Sequence, residues 1–389
     1  MFLVIILGTF IAIIIGIISG LVPSLHINNV VYLINYIAIA NEIKAIIIIL
    51  ASIIFSFLAF IPATLFSIPN SDNFVSTLPS QRLTINGKAY FAIYLYLIGI
   101  INSLIFGLPI IILFIVLLNY LITPIQILTP FVLIISLVIL FFQAKNYFGT
   151  TIIIFSGALG YFALTYATIE NPLLVIISGL FAMSNLIYSL QNKIKIPNQT
   201  FEIEKINILT KLKIGIVAPC LSIFVTLFPG LGNCFATYFG TKVSNLEDYG
   251  YIMLNGAINI LVMILSFFSI LIIEKARTAS GIFLEYYKNT FVFSFQWILL
   301  FCLIGIVLGY FLTLFFAKVF IKNIHKINYK KLNIILILFL HIIVILFSNT
   351  LGIIVFWLAT LIGYLCIKTE NPRILMIACI IVPVLLYFV

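Results

Sequence analysis

Two short proline motifs interrupt apolar runs at matching places in the two halves of the chain. The first motif, residues 22–26, contains Pro23, and the second, residues 228–232, contains Pro229, Gly230 and Gly232. Proline has no backbone N–H group and glycine adopts conformations that helices exclude, so both motifs predict a helix break. Within a membrane, the N–H and carbonyl groups released by a break must face protein or a water-filled cavity, where solutes bind.

Asparagines follow both breaks. Asn28 and Asn29 precede a short apolar run at 30–40, and Asn233 holds the matching place before residues 234–241. Asparagine is a favoured N-cap residue, and a helix N-terminus offers free N–H groups and a partial positive charge. Two such ends that meet would bind an anionic group such as a carboxylate. The candidate binding residues are Pro23, Ser24, His26, Asn28, Asn29, Pro229, Gly230, Gly232, Asn233 and Thr237.

Other interpretations of these residues stay open. Proline and glycine also kink packed membrane helices without forming a site. His26 is a candidate carrier of a coupling proton, or else a hydrogen-bonded polar side chain at a bend. The pairing of the two motifs, with asparagines after each, favours a binding site over simple kinks.

The composition places these motifs in a membrane. Of the 389 residues, 64% are hydrophobic and only 8% are charged, whereas about 25% of the residues in a soluble domain are charged. The net charge of +10 comes from basic residues scattered singly or in short clusters between apolar runs, which indicates membrane topology rather than nucleic-acid binding. We expect an all-α polytopic protein that crosses the cell membrane many times.

Four landmarks recur in the same order in the two halves, which predicts a duplicated unit. They are the proline motifs, a Phe-Ser-Ile triplet at 66–68 and 268–270, a Gly-Tyr pair at 160–161 and 363–364, and Glu-Asn-Pro at 170–172 and 370–372. We expect membrane repeats at residues 1–192 and 208–389, joined by a cytoplasmic connector at 193–207. Each repeat should contain a broken or re-entrant hairpin and about five transmembrane helices.

Lysine placement predicts that the repeats are inverted. The loop after the third apolar run has no charge in the first half, at residues 121–125, but its counterpart has five lysines between residues 318 and 331. Equivalent loops therefore face opposite sides, and with the connector cytoplasmic both chain ends lie outside. Inverted repeats are common in secondary transporters, which bind substrate near the membrane midplane. A parallel repeat remains the alternative.

Arm lengths predict how deep each break lies. In the second half, 15 residues separate Lys213 from Pro229, about 22 Å of helix against a hydrocarbon core of about 30 Å. The run after the motif, residues 234–241, is about 12 Å long. Two half-length arms predict a re-entrant hairpin, whereas in the first half residues 2–20 are long enough to cross almost completely.

Residues suited to catalysis do not cluster along the chain. The three histidines are far apart, the acidic residues avoid the apolar runs, and there is neither an HExxH motif nor a phosphate-binding loop. Asp72 and the group Glu274, Lys275 and Arg277 fall between apolar runs, where ordinary interfacial loops explain them. We therefore expect no enzyme.

The chain resembles the TctA family, the large membrane subunit of tripartite tricarboxylate transporters. The resemblance lies in residues 20–28, 67–72, 78–82 and 229–233, and in Gly87. It implies a permease for citrate-like carboxylates that is coupled to Na⁺ or H⁺ and has no other cofactor. It also implies a small membrane subunit and an extracytoplasmic binding protein as partners. Ser24 stands where the family usually has glycine, and His26 marks an archaeal-type variant.

Two functions remain open at this point. The first is a secondary transporter for small organic anions such as dicarboxylates or tricarboxylates. The second is a translocase for a lipid carrier such as a polyprenyl phosphate, because paired helix N-termini would also receive a phosphate headgroup.

Overall fold

The computed structural model describes residues 1–22, 27–66, 77–166, 168–191, 197–324 and 328–388. All regular secondary structure in these ranges is helical, and eleven helical segments there are long and apolar enough to cross a membrane. This confirms the prediction of an all-α polytopic membrane protein. The helices are α1 (Phe2–Leu21), α2 (Ile27–Ile34), α3 (Asn41–Leu58), α4 (Phe60–Phe66), α5 (Thr77–Ile85), α6 (Ala89–Gln143), α7 (Tyr147–Tyr161), α8 (Pro172–Ile177), α9 (Ser184–Gln191), α10 (Ile208–Leu227), α11 (Asn233–Val243), α12 (Asp248–Ile273), α13 (Ala279–Glu285), α14 (Phe295–Asn323), α15 (Tyr329–Phe347), α16 (Thr350–Lys368) and α17 (Ala378–Phe388).

The two halves place the same kinds of element in the same order. In each half a long helix and a short helix are followed by a long buried segment, a short helix and then further apolar segments. There are four long ones in the first half, and three long ones with the shorter Arg373–Phe388 in the second. One difference was not expected: residues 121–125 are part of the continuous 55-residue helix α6 and do not form a loop. These residues carry no charge that water would stabilise and no glycine, and membrane helices tolerate a proline such as Pro124.

Two large hydrophobic cores, with a small third cluster between α9 and α15, hold the described helices together. The first core is built from α1–α5, the first part of α6, α10 and α12–α14. The second core contains the rest of α6, α7–α9 and α15–α17. The hairpin α10–α11 contributes Val225 and Ala236 to the first core and Phe228, Leu231 and Cys234 to the second. The helices around the first core are called the first bundle below, and those around the second core the second bundle. The hairpin therefore lies between the two bundles.

Glycines at equivalent places let the two halves pack against each other's backbone. A Cβ atom added at Gly160 in α7 would lie 2.0 Å from the carbonyl oxygen of Cys379. A Cβ atom added at Gly363 in α16 would lie 2.0 Å from the carbonyl oxygen of Leu180. Each glycine thus admits a segment of the opposite half at a separation that no larger residue allows.

Equivalent asparagines make equivalent bonds at the two ends of the second bundle. Asn146 caps α7 and Asn349 caps α16, because each side chain accepts a hydrogen bond from the third residue after it. Each side-chain amide also donates to a carbonyl of the other half: Asn146 to Thr369 and Asn349 to Thr168. In the second bundle, each half therefore caps one of its own helices and bonds the other half through the same kind of asparagine.

The long buried helices α3 and α12 run in opposite directions. Ser52 in α3 bonds the N-terminal end of α13, whose cap Thr278 bonds Ser266 in α12. Four residues further along α3, the carbonyl of Ser56 accepts the Tyr96 hydroxyl, which lies 3.5 Å from the amide nitrogen of Asn259 in α12. Ser52 thus lies near Ser266, whereas Ser56, later in α3, lies near Asn259, which is earlier in α12. The two helices are therefore antiparallel.

Candidate functional site

The hairpin α10–α11 begins earlier than its sequence predicts. Helix α10 starts at Ile208, where the Asn207 side chain accepts from the backbone N–H of Leu209. Its 20 residues are about 30 Å long, so the expectation of a short first arm at 214–228 was wrong. Lysine is a good helix former, and long side chains such as those of Lys211 and Lys213 reach the aqueous edge while their backbone stays helical. The second arm, α11, has 11 residues and is about 16 Å long.

The two arms bring the chain back to the side on which it started. The Lys213 ammonium, in the second turn of α10, lies 3.5 Å from the carbonyl of Ser244 at the end of α11. At the other end, the Asn233 side-chain amide donates to the Asn259 side chain at 2.9 Å. Asn259 is the twelfth of the 26 residues of α12. The tip of the hairpin thus lies beside the middle of a spanning helix.

The tip leaves the N-terminus of α11 open. Gly230 has φ +87°, a left-handed conformation that favours glycine, and Gly232 precedes α11 in an extended conformation. No side chain of the described residues caps this helix. A Cβ atom added at Gly232 would have no heavy atom within 4 Å. The space beside Gly232 is therefore open, and the first-turn N–H groups of α11 next to it have no partner within the helix.

The asparagines do not occupy the N-cap positions that the sequence predicted. Asn233 is the first residue of α11, and its side chain bonds Asn259 rather than the end of its own helix. Asn28 and Asn29 lie inside the first turn of α2, which begins at Ile27. Ile27 is fully buried in the first core, so apolar packing already fixes the chain before the asparagines.

Other predicted site residues divide into two groups. Pro23, Ser24 and His26 lie outside the described residues. Thr237 is fully buried, and its hydroxyl donates to the carbonyl of Asn233 at 2.8 Å, one turn earlier in the same helix. Pro229 lies at the edge of a cavity described below. Their roles in binding stay predictions.

Arg277 reaches the hairpin tip from the opposite direction. Its guanidinium donates to the carbonyl of Leu231 at 2.6 Å. Glu274, with φ +53°, reverses the chain after α12, and the backbone N–H of Arg277 then donates to Ser266 at 3.0 Å. Ser266 lies seven residues before the end of α12, about 10 Å along the helix. The sequence suggested an interfacial loop here and gave no signal of this contact.

A polar network ties the tip to the first bundle. Asn233 bonds Asn259, and Asn259 lies 3.5 Å from the hydroxyl of Tyr96, which donates to the carbonyl of Ser56. Sequence analysis missed Asn259 because it lies within an apolar run. The available signal was its spacing from Asn255, since residues four apart share one face of a helix.

A cavity of about 770 Å³ lies beside Pro229, between the tip and the ends of α7 and α17. Its lining is mostly apolar and aromatic, with Pro229 from the tip, Tyr161 at the end of α7, Thr165 just after that helix, and Pro383 and Tyr387 from α17. Gly230 lies against the same bundle, because an added Cβ would be 3.1 Å from Val384. The tip therefore has polar contacts with the first bundle and apolar packing on the second, with the cavity beside Pro229.

The connector is bound to the starts of α6 and α12. Glu204 accepts hydrogen bonds from the Lys88 ammonium and from the hydroxyl of Tyr249. The bond from Lys88 is the main reason that the pKa of Glu204 is lowered, and Glu204 in turn raises the pKa of Lys88. Gln199 adds a bond from its side chain to the carbonyl of Thr84. This end of the bundle is thus held by charged and polar contacts.

Comparison with known proteins identifies the family. The chain matches the tripartite tricarboxylate transporter TctA family over residues 6–378. It is also similar to an uncharacterized protein of Methanocaldococcus jannaschii, with 29% identity and 97% of each chain covered. No solved structure matches it significantly. The protein, a multi-pass membrane protein, belongs to the tripartite tricarboxylate transporter TctA family.

Proposed function

We propose that the chain is an ion-coupled permease for small organic anions, and that the anion binds at the tip of the hairpin α10–α11. Membership of a transporter family rather than an enzyme family supports the class of function. The observation that carries the site is the open N-terminus of α11 beside the middle of α12.

The chemistry of this helix end suits a carboxylate. The uncapped N–H groups supply hydrogen-bond donors, and the helix dipole adds about half a positive charge. Among transporters with broken helices, half-helix N-termini typically point at anionic groups of the substrate. The hairpin tip provides this geometry without placing a lysine in the apolar interior.

The halves are proposed to be inverted repeats at residues 1–192 and 208–389, with a cytoplasmic connector at 193–207. The antiparallel course of α3 and α12 supports this relation, because equivalent helices of inverted repeats cross the membrane in opposite directions. The first hairpin, including Pro23, Ser24, His26, Asn28 and Asn29, then completes the substrate path from the opposite side.

The family also suggests the partners and the energy source. A tripartite transporter has three components, and we propose a small membrane subunit and an extracytoplasmic binding protein beside this chain. Na⁺ or H⁺ is the proposed coupling ion, with His26 as the candidate proton carrier.

Uptake of labelled citrate into proteoliposomes tests the proposal. A panel of other dicarboxylates and tricarboxylates, run under a Na⁺ gradient, a pH gradient or neither, identifies substrate and coupling ion. Thermal stabilisation by the same anions measures binding in the absence of transport. Asn233→Ala should abolish the stabilisation, whereas Asn323→Ala, at the far end of α14, should not. Equal stabilisation of both variants would remove the hairpin tip from the proposed site.

A lipid-carrier translocase is the second candidate, and the apolar cavity beside Pro229 is the observation that favours it. A cavity lined by apolar and aromatic side chains suits a hydrocarbon chain whose phosphate headgroup sits at the α11 N-terminus. Movement of a fluorescent polyprenyl phosphate across the vesicle membrane, with no citrate uptake, would establish this function in place of the first.

A further inference from the structure

Arg277 lies where a positive charge can act on the hairpin tip. We propose that Arg277 is the positioning residue of the tip and gives the site its preference for anions with several carboxylates. This inference rests on the proposed function, because it assigns a role within the same site.

The backbone around Arg277 is fixed independently of the tip. Ser266 accepts from the N–H groups of both Arg277 and Thr278, at 3.0 and 2.9 Å. Thr278 then caps α13, and Ser280 in that helix bonds Ser52 of α3. The arginine is therefore carried by a segment that is anchored to two buried helices, and its side chain reaches the tip from a fixed base.

The contact with the tip is a charge-assisted hydrogen bond. The guanidinium donates to the carbonyl of Leu231 at 2.6 Å, and Leu231 directly precedes the open residue Gly232. Bonds from an ionised donor are stronger than neutral ones, so this bond fixes the direction of the α11 N-terminus. The position of the first-turn N–H groups thus depends on Arg277.

The charge has a second effect. Amide dipoles attract one anionic group near the helix end, but their field decays within the first turn. A full positive charge bonded to the residue before Gly232 extends the attraction beyond that turn, and a guanidinium remains charged at every physiological pH. An anion with two or three carboxylates therefore gains more from Arg277 than an anion with one.

Lys275 provides a matched control. It lies two residues before Arg277, carries the same charge and is exposed. Lys275→Gln removes one positive charge from the same loop without touching the tip. Arg277→Lys keeps the charge but loses the planar donor fork, and Arg277→Gln loses the charge.

Citrate uptake by the full chain in proteoliposomes tests the role. We expect Arg277→Gln to raise the KM for citrate about tenfold or more, since it removes the charged hydrogen bond that positions the tip, worth about that much, together with the positive charge beside the anion. The KM for a monocarboxylate such as acetate, where wild-type uptake is measurable, should change less. Arg277→Lys should restore part of the affinity for citrate, and Lys275→Gln should leave it unchanged.

Thiol labelling separates positioning from loss of fold. Cys234 is buried one residue beyond Asn233, whereas Cys302, Cys366 and Cys379 are buried deep in the two bundles. In a Cys220→Ser background, which removes the exposed thiol, Arg277→Gln should speed the reaction of Cys234 with maleimide. Cys302, Cys366 and Cys379 should stay protected. Faster reaction of all four would indicate general unfolding and would overturn the positioning role.

The outcomes for the site and for Arg277 are distinguishable. If the wild-type chain neither binds nor transports any carboxylate, the proposed function fails. If the wild type transports citrate and Arg277→Gln does so with the same KM and the same Cys234 reactivity, only the role of Arg277 is overturned.

Discussion

Gly232→Ala should separate binding from stability at the hairpin tip. The added methyl group would have no heavy atom within 4 Å, and Gly232 has φ −91° and ψ 164°, which alanine adopts without strain. The substitution therefore introduces a group only into the space that we assign to the anion.

The change in the free energy of unfolding is the difference between two small contributions, one from the unfolded chain and one from the N-cap position. Replacing glycine by alanine in a compatible conformation stabilises a protein by about 0.4–1 kcal/mol through the unfolded chain. Alanine is a poorer N-cap than glycine, by roughly 0.5–1 kcal/mol. The terms nearly cancel, so we expect the melting temperature to stay within about 2 °C of the wild type.

The effect on binding is larger. An N–H bond to a carboxylate contributes about 1.5–3 kcal/mol, and a methyl group that keeps the anion from one such bond lowers affinity at least about tenfold. Titration of citrate by isothermal calorimetry, with thermal unfolding in the same detergent, measures both quantities. Gly232→Val, which fills more of the space, should bind more weakly still. Unchanged citrate affinity in both variants would refute the assignment of this space to the substrate.

Three substitutions and one change of pH test the rest of the architecture. Gly160→Ala and Gly363→Ala should each lower stability by roughly 1–3 kcal/mol, because the added Cβ would lie 2.0 Å from a facing carbonyl oxygen; thermal unfolding measures this. The Glu204 pKa is lowered by Lys88, so the connector contact should persist at neutral pH and be lost as pH falls through that pKa, which hydrogen exchange of residues 197–207 measures. Asn259→Leu should free the hairpin tip and weaken citrate binding without lowering the melting temperature below that of Gly160→Ala.

Each of these predictions would be contradicted by a specific outcome. Glycine variants that unfold at the wild-type temperature would show that the helices can separate without loss. A connector that is already unprotected at pH 7, or that keeps the same protection factor at pH 3 once the slower intrinsic exchange of amides in acid is corrected for, would contradict the contribution of the Glu204 carboxylate. Citrate binding by Asn259→Leu at wild-type affinity would show that the amide pair does not position the tip.

The sequence predicted the break at Pro229 and the class of fold, because proline, glycine and apolar run length act locally. It misplaced the start of α10, since a charged residue such as Lys213 indicates the end of an apolar run although the helix continues through it to Ile208. It missed Asn259 and Arg277 because their partners are distant in the chain. Such contacts depend on how the hairpin packs between the bundles, and no local pattern specifies that packing.

The hairpin and the segment that carries Arg277 reach the tip from opposite sides of the membrane, which is the arrangement that alternating access requires. The hairpin enters from the side where α12 begins, as the contact of Lys213 with Ser244 shows, and Arg277 enters from the side where α12 ends. A lysine or arginine held at the centre of a membrane helix costs about 2.5–3.5 kcal/mol. The N-terminus of α11 comes from one side and the guanidinium of Arg277 from the other. Neither arrangement places a charged residue in the middle of a continuous membrane helix, so that cost is avoided. Under the proposed function, opening either element alone would expose the site to one side only, which is the requirement that a secondary transporter must meet.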